Sequence, residues 1–244
     1  MNRSRRLAVL VPFVLLPACG GETPPATGPS AVAAKSDAPK PAPKKSNGMS
    51  VTTELGSIDA AATDRTFQKI QSAFLQCQAA GLSRVEYLAG DVSVFVRVGE
   101  GGRARFAVLE DSTLGDRATE LCIVSVLEKA PWPSPTGGDA EVRKSFGFDP
   151  PDGVRKPTNW TVDRIAHALG QQGDVSGKCH VKANAKVKVT AYVEPDGESG
   201  KVQTSGIATP SRETFTNGDC IVESIRSLKV PSPGSYAAKV TFSL

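Results

Sequence analysis

Five cysteines carry most of the chemistry this sequence could perform: Cys19, Cys77, Cys122, Cys179 and Cys220. Thiols can take a lipid, ligate a metal, exchange in redox reactions or pair as disulfides, and spacing separates these uses. No Cys-x-x-Cys is present, and the two histidines, His167 and His180, make no tight ligand set with the cysteines. His180 adjoins Cys179, but neighbours on an extended chain point in opposite directions, so His180 is expected to face solvent. Metal or redox binding at Cys179 and His180 is therefore the alternative reading. The leading one is disulfide bonding of Cys77, Cys122, Cys179 and Cys220 in an oxidising compartment, with three connectivities open.

A duplication favours one connectivity. Cys122-Ile123-Val124 is followed by Pro133-Ser134-Pro135, and Cys220-Ile221-Val222 by Pro231-Ser232-Pro233, the first proline falling eleven positions after the cysteine in both. The period is about 98 residues, which indicates a tandem unit and not a solenoid of short repeats. Its symmetry pairs Cys77 with Cys122 and Cys179 with Cys220. Closing a loop of about 45 residues stabilises a fold by roughly 4 kcal/mol in the chain-entropy treatment. That matters here, because 39% hydrophobic and 6% aromatic residues give modest, aliphatic cores.

The elements that must position these cysteines are legible from periodicity. Phe67, Ile70, Phe74 and Cys77 recur at helical spacing, which predicts a helix from an Asp64 cap through Ala79, stopped by Gly81. Val92, Val94, Val96 and Val98 alternate with Ser93, Phe95 and Arg97, and Gly99–Gly102 turns the chain into a second strand, Arg103–Glu110. Cys122, Ile123, Val126 and Leu127 lie on a helix ended by Pro131, and Ala140–Phe148 is a closing strand. After a break at Asp149–Gly153 the order recurs. Thr161 caps a short helix with Ile165, Ala168 and Leu169. Lys186–Val193 alternates with Val187, Val189, Ala191 and Val193 inward, and Lys186, Lys188, Thr190 and Tyr192 outward. Lys201–Ala208 follows, then a Cys220–Leu228 helix ended by Pro231, and a strand from Ala238 to Leu244. The expected fold class is α+β: two tandem small domains, 60–150 and 160–244, each helix, β-hairpin, helix, strand, with the helices on one face of an antiparallel sheet.

The amino-terminal part reads differently. Arg3, Arg5 and Arg6 precede an apolar run from Leu7 to Ala18, which is too short to span a bilayer and suits a secretory signal. The sequence Leu16-Pro17-Ala18-Cys19-Gly20 resembles a bacterial lipoprotein signal. That resemblance makes 1–18 the signal peptide and Cys19 the acylated residue, and with glycine at position 20 it implies the outer membrane. Residues 19–59 form a Pro/Ala/Lys-rich tether with too little apolar surface to fold. At about 3.1 Å per residue its proline-rich stretch, residues 20–50, reaches on the order of 90 Å when extended.

Charge and motifs exclude more than they identify. The net charge of +4 comes from the leader and tether; residues 51–244 carry 22 basic and 23 acidic side chains. Without a basic stripe and stacking aromatics, nucleic acid is not an expected partner. Gly99-x-Gly101-x-x-Ala104 leads into a strand and not a phosphate-binding helix, Gly177-Lys178 and Gly200-Lys201 lack phosphate-loop spacing, and there is no Gly-x-Ser-x-Gly. Glu110, Asp111 and Asp116 precede a helix and suit capping. No cofactor, metal or small-molecule substrate is expected, and no enzymatic activity. Trp132 and Trp160, beside proline-rich breaks, are expected to pack.

The helix with a cysteine, the valine-rich hairpin, Asp-Ser-Thr-Leu-Gly-Asp at 111–116, the Cys-Ile helix and Pro-x-Pro before a last strand are similar to the C-terminal domain of the TonB family. The resemblance is to the cysteine-containing branch found in myxobacterial gliding-motility (AgmX/PglI-type) proteins. It covers 64–148 well, and 162–244 through Cys179, the hairpin, Cys220-Ile221 and Pro231-Ser232-Pro233. The Tyr-Pro element of energy transducers is absent from both copies. The resemblance implies a fold and a cell-envelope setting facing the periplasm, with a protein or peptidoglycan partner reached from the lipid anchor.

Overall fold

A computed structural model describes residues 55–244. The signal, Cys19 and nearly all of the tether lie outside the described residues.

Helix α1, Ala60–Leu82, begins at Asp59, whose carboxylate accepts the Ala62 N–H at 2.8 Å. The expected cap, Asp64, lies one turn inside the helix and pairs instead with Lys144 at 2.6 Å. The run Ala60-Ala61-Ala62 favours helix strongly enough to extend it back to the earlier aspartate. Phe67, Ile70, Phe74 and Cys77 form its buried face, as the spacing predicts. Strand β1, Gly90–Val98, pairs antiparallel with β2, Ala104–Ser112, through a turn in which Gly102 has φ +68°. Helix α2, Arg117–Lys129, is capped by Asp116, and β3, Ala140–Phe148, pairs antiparallel with β1. The resulting three-stranded sheet has order β2-β1-β3. Val92, Val94, Val96 and Val98 face the apolar sides of α1 and α2, and Trp132 closes this core with its indole N–H on Leu127 O at 2.9 Å.

The chain then adds β4, Thr158–Trp160, which has no expected counterpart. A 3-10 turn, Val162–Arg164, and two short helices follow, α3 (Ala166–Gln172) and α4 (Val175–Lys178). Thr161 makes no side-chain capping bond. Gly173, at φ +75°, ends α3 before α4 begins, so Cys179 ends a single turn of helix instead of riding on a long one. Strand β5, Lys188–Asp196, pairs with β6, Ser199–Ala208. Helices α5 (Arg212–Thr216) and α6 (Asp219–Arg226), strand β7 (Lys229–Pro231) and strand β8 (Ala238–Ser243) complete a five-stranded sheet of order β4-β8-β5-β6-β7. The β4-β8 pair is parallel, the others antiparallel. Pro231 is not the residue that ends the preceding helix: α6 stops at Arg226, and Pro231 sits on an edge strand where its missing N–H costs no ladder bond. Among the described residues the fold is mixed α+β with two sheets and six helices.

The two sheets meet, and this overturns one expectation. Thr190 and Tyr192, read as outward-facing, are buried at 1% and 0% exposure. The face of β5 that would point to water is covered by the stretch between α1 and β1. Tyr192 packs with Val85, Tyr87, Leu88 and Ala237 in a third core cluster, its hydroxyl donating to Ala89 O at 3.0 Å. Thr190 Oγ1 reaches Ser112 O at 3.3 Å. Truncating Tyr192 to alanine should lower the urea midpoint by the equivalent of about 3–5 kcal/mol, whereas Lys201→Ala, on the surface, should change it little.

Candidate functional site

The cysteines assort as the duplication suggests. Cys77 bonds Cys122 and Cys179 bonds Cys220, each with Cα atoms 5.7 Å apart. Cys77 joins α1 to α2; Cys179 ties the end of α4 to the first turn of α6. His180 and His167 are both exposed, and no group of three His, Cys, Asp or Glu side chains among the described residues could hold a metal ion.

What the cysteine reading does not reach is the seam where the two sheets meet. There the outer edges of β2 and β6 approach each other, with Thr209 N–H donating to Leu109 O at 2.7 Å. Into this junction α2 directs Glu120, whose exposure is 0%. Its Oε1 accepts from Ser112 Oγ at 2.7 Å and its Oε2 from the Ile207 backbone N–H at 2.8 Å. The carboxylate thus serves as a ladder partner for an N–H of β6 that no strand could satisfy. Gly206 makes room for it: a Cβ there would lie 2.4 Å from either carboxylate oxygen. A signal for this was in the sequence. Glu120, Ile123, Val124 and Leu127 follow the i, i+3, i+4, i+7 spacing of one helix face, so this carboxylate belongs to the apolar stripe.

Charges cluster around it. Arg117 is held over the Phe215 ring at 4.6 Å, donates to Phe215 O at 2.6 Å and pairs with Asp219 at 2.9 Å. Its Nη1 is the buried side-chain polar atom without a hydrogen-bond partner among the described residues. Asp116 accepts from Arg84 at 2.5 Å, Thr119 Oγ1 at 2.6 Å and Thr204 Oγ1 at 3.0 Å. Beside these groups lies an open cleft of about 630 Å³ between α2 and α6, floored by β6 and lined by Arg84, Arg117, Leu121, Lys201 and Arg226 among others. On the far side of the seam, Tyr87 donates to Glu194 at 2.7 Å and Lys188 pairs with Asp111 at 2.6 Å. Lys239 donates to Ala89 O at 2.7 Å, and burial pushes its ammonium down to about 8.

The two carboxyls of α2 titrate in opposite directions. Burial pushes Glu120 up to about 7, against the hydrogen bonds from Ser112 and Ile207 and the nearby Arg117 charge. Burial acts the same way on Asp116 but is outweighed by Arg84, Thr119 and Thr204, which together hold it below its ordinary value.

Two sheet edges are taken. Lys201–Ala208 lies within β6, whose outer edge carries β7 at one end and gives its Ile207 and Thr209 N–H groups to Glu120 and Leu109 at the other. The closing strand β8 is covered by β4 over Ala238–Val240. The end strand β3 has β1 on one side, and Arg143, Ser145 and Gly147 along it are exposed.

No family model, curated protein or solved structure matches the chain.

The seam makes a prediction about pH. A carboxyl whose folded pKa is raised binds its proton more tightly in the folded state, so stability falls as pH rises from about 4.5 through about 7. The loss should be on the order of 3 kcal/mol. Asp116 acts at the other end, its contribution being lost as pH falls through the range below its ordinary carboxylate value. Urea titrations across pH should show greatest stability in mild acid, and Glu120→Gln should flatten the decline towards neutrality. A wild-type midpoint that rises over this interval would contradict the assignment.

Proposed function

We propose that this chain is a non-enzymatic lipoprotein of the cell envelope, held by a lipid on Cys19 and presenting two tandem TonB-C-like α+β domains to a protein or cell-wall partner. One observation carries the reading. The Cys77–Cys122 and Cys179–Cys220 bonds account for four of the five cysteines. Their presence fits an exported chain, and the fifth, Cys19, stands where the short apolar run ends. The matching sheet orders β2-β1-β3 and β6-β5-β8, each with a disulfide between flanking helical segments, support the tandem arrangement. The outer membrane, with the folded part in the periplasm, is the location that best suits glycine beside the anchor.

Anchoring is tested by growing a bacterial host that expresses the full chain with an alkyne-bearing fatty acid. The expected result is labelled, membrane-associated protein, with Cys19→Ala unlabelled and released to the soluble fraction. Label retained on the alanine variant would remove the anchor from the proposal.

For partner binding, β3 is the edge that fits best. A strand added there would gain main-chain hydrogen bonds along Ala140–Phe148, with Arg143 and Ser145 exposed to read its side chains. A photo-crosslinking residue replacing Ser145 should give discrete envelope adducts, while the same residue replacing Glu198, at the β5–β6 turn, should give none. Equal adducts from both positions would count against β3.

A further inference from the structure

The two disulfides span similar loops, 45 and 41 residues, but lie in different surroundings. Cys77 is 1% exposed and packs in the first core, with Cys122 half-buried beside it. Cys220 is exposed and Cys179 half-buried. Both line a cavity of about 260 Å³ together with Lys178, His180, Lys182 and Glu213. Two lysines against one carboxylate make this cavity cationic. Lys182 pairs with Glu213 at 2.5 Å, and Lys178 donates to Gln172 O. The segment leaving Cys179 is also conformationally loaded. His180 (φ 53°) and Lys186 (φ 38°) are the non-glycine residues with positive φ among those described, and both lie between Cys179 and β5. Such conformations persist only where the surroundings hold them, and here Cys179 is one of the tethers.

From this geometry we infer that Cys179–Cys220 is an exchangeable disulfide that reacts with anionic low-molecular-weight thiols, while Cys77–Cys122 is a permanent staple. Cys220, the exposed member of the pair, is the point of attack. An incoming thiolate forms a bond to Cys220 Sγ as the Cys179–Cys220 bond breaks, and the electron pair leaves on Cys179 Sγ. Ser224 Oγ lies 3.8 Å from that sulfur and donates to the departing thiolate. Cys179 then takes a proton from water. A second thiolate attacks the incoming sulfur of the mixed disulfide and expels Cys220 as thiolate. In sum, two thiols are oxidised to one disulfide and the protein disulfide is reduced by two electrons. Carboxylates on the thiol suit the cavity because Lys178 and Lys182 flank the approach. Reduction releases α4 and the strained segment from α6 and leaves the first core closed. This site is independent of any lipid on Cys19, so its failure would leave the anchoring proposal standing.

The test uses the oxidised full-length chain under native conditions at neutral pH, with reduced glutathione as the probe. Samples are quenched with iodoacetamide and each cysteine is followed by peptide mass spectrometry. Cys179 and Cys220 should open at least about tenfold faster than Cys77 and Cys122, because access governs exchange. The first adduct should be glutathione on Cys220. Equal rates for the two disulfides, or a first adduct on Cys179, would overturn the assignment. Replacing both Lys178 and Lys182 by glutamine should slow glutathione by about threefold or more and leave cysteamine, a cationic thiol, unslowed. An equal effect on both thiols would overturn the preference for anions.

Discussion

Glu120 has to serve two sheets at once, and the arrangement of residues 55–244 follows from that demand. A carboxyl group removed from water is costly unless donors meet it. Here the donors are the Ser112 hydroxyl at the end of β2 and the Ile207 N–H on β6. An unpaired N–H buried at a sheet edge carries a similar cost. The two liabilities cancel only when the sheets sit in one register against each other. Gly206, the Arg117 guanidinium beside the seam and the threonines around Asp116 all support that register. Hydrophobic contact between Tyr192 and the Val85–Leu88 stretch adds affinity to the junction, but the polar groups set its alignment.

The sequence made the interior of each part readable and left their junction mostly unread. Alternation at Val92–Val98 and Val187–Val193 identified the hairpins because a period of two is unambiguous over that length. It could not say which face meets water. Thr190 and Tyr192 look solvent-facing by type and phase, and they are buried by residues about a hundred positions earlier. Strand β4 is three residues long beside a proline-rich stretch and has no local pattern of its own; its pairing with β8 is wholly non-local. Glu120 was legible in principle, since it falls on the apolar stripe of α2. The cysteine pairs were legible because the duplication supplied the symmetry that spacing alone does not.

The surroundings of the two disulfides differ most around Cys179. Cys77 lies in the second half of a 23-residue helix, on the face buried in the core. Around Cys179 the chain is divided at Gly173 into two short helices, and the disulfide is left near the surface. The same covalent device can therefore serve as an internal brace in one place and a reactive surface group in the other, depending on how much helix surrounds it.

The position of β8 between β4 and β5 has a consequence for the order in which the chain assembles. Strand β4 has β8 as its sheet neighbour, and Thr158 waits for Ala238 before its ladder can form. The Tyr87–Glu194 contact closes a separation of 107 residues. Such pairings incur most of the loop-closure entropy before any reward. The β1–β2 and β5–β6 hairpins, joined by short turns, are the natural early structures. By the same entropy argument the second sheet is expected to close after the hairpins, when β8 takes its place between two strands that precede it in sequence.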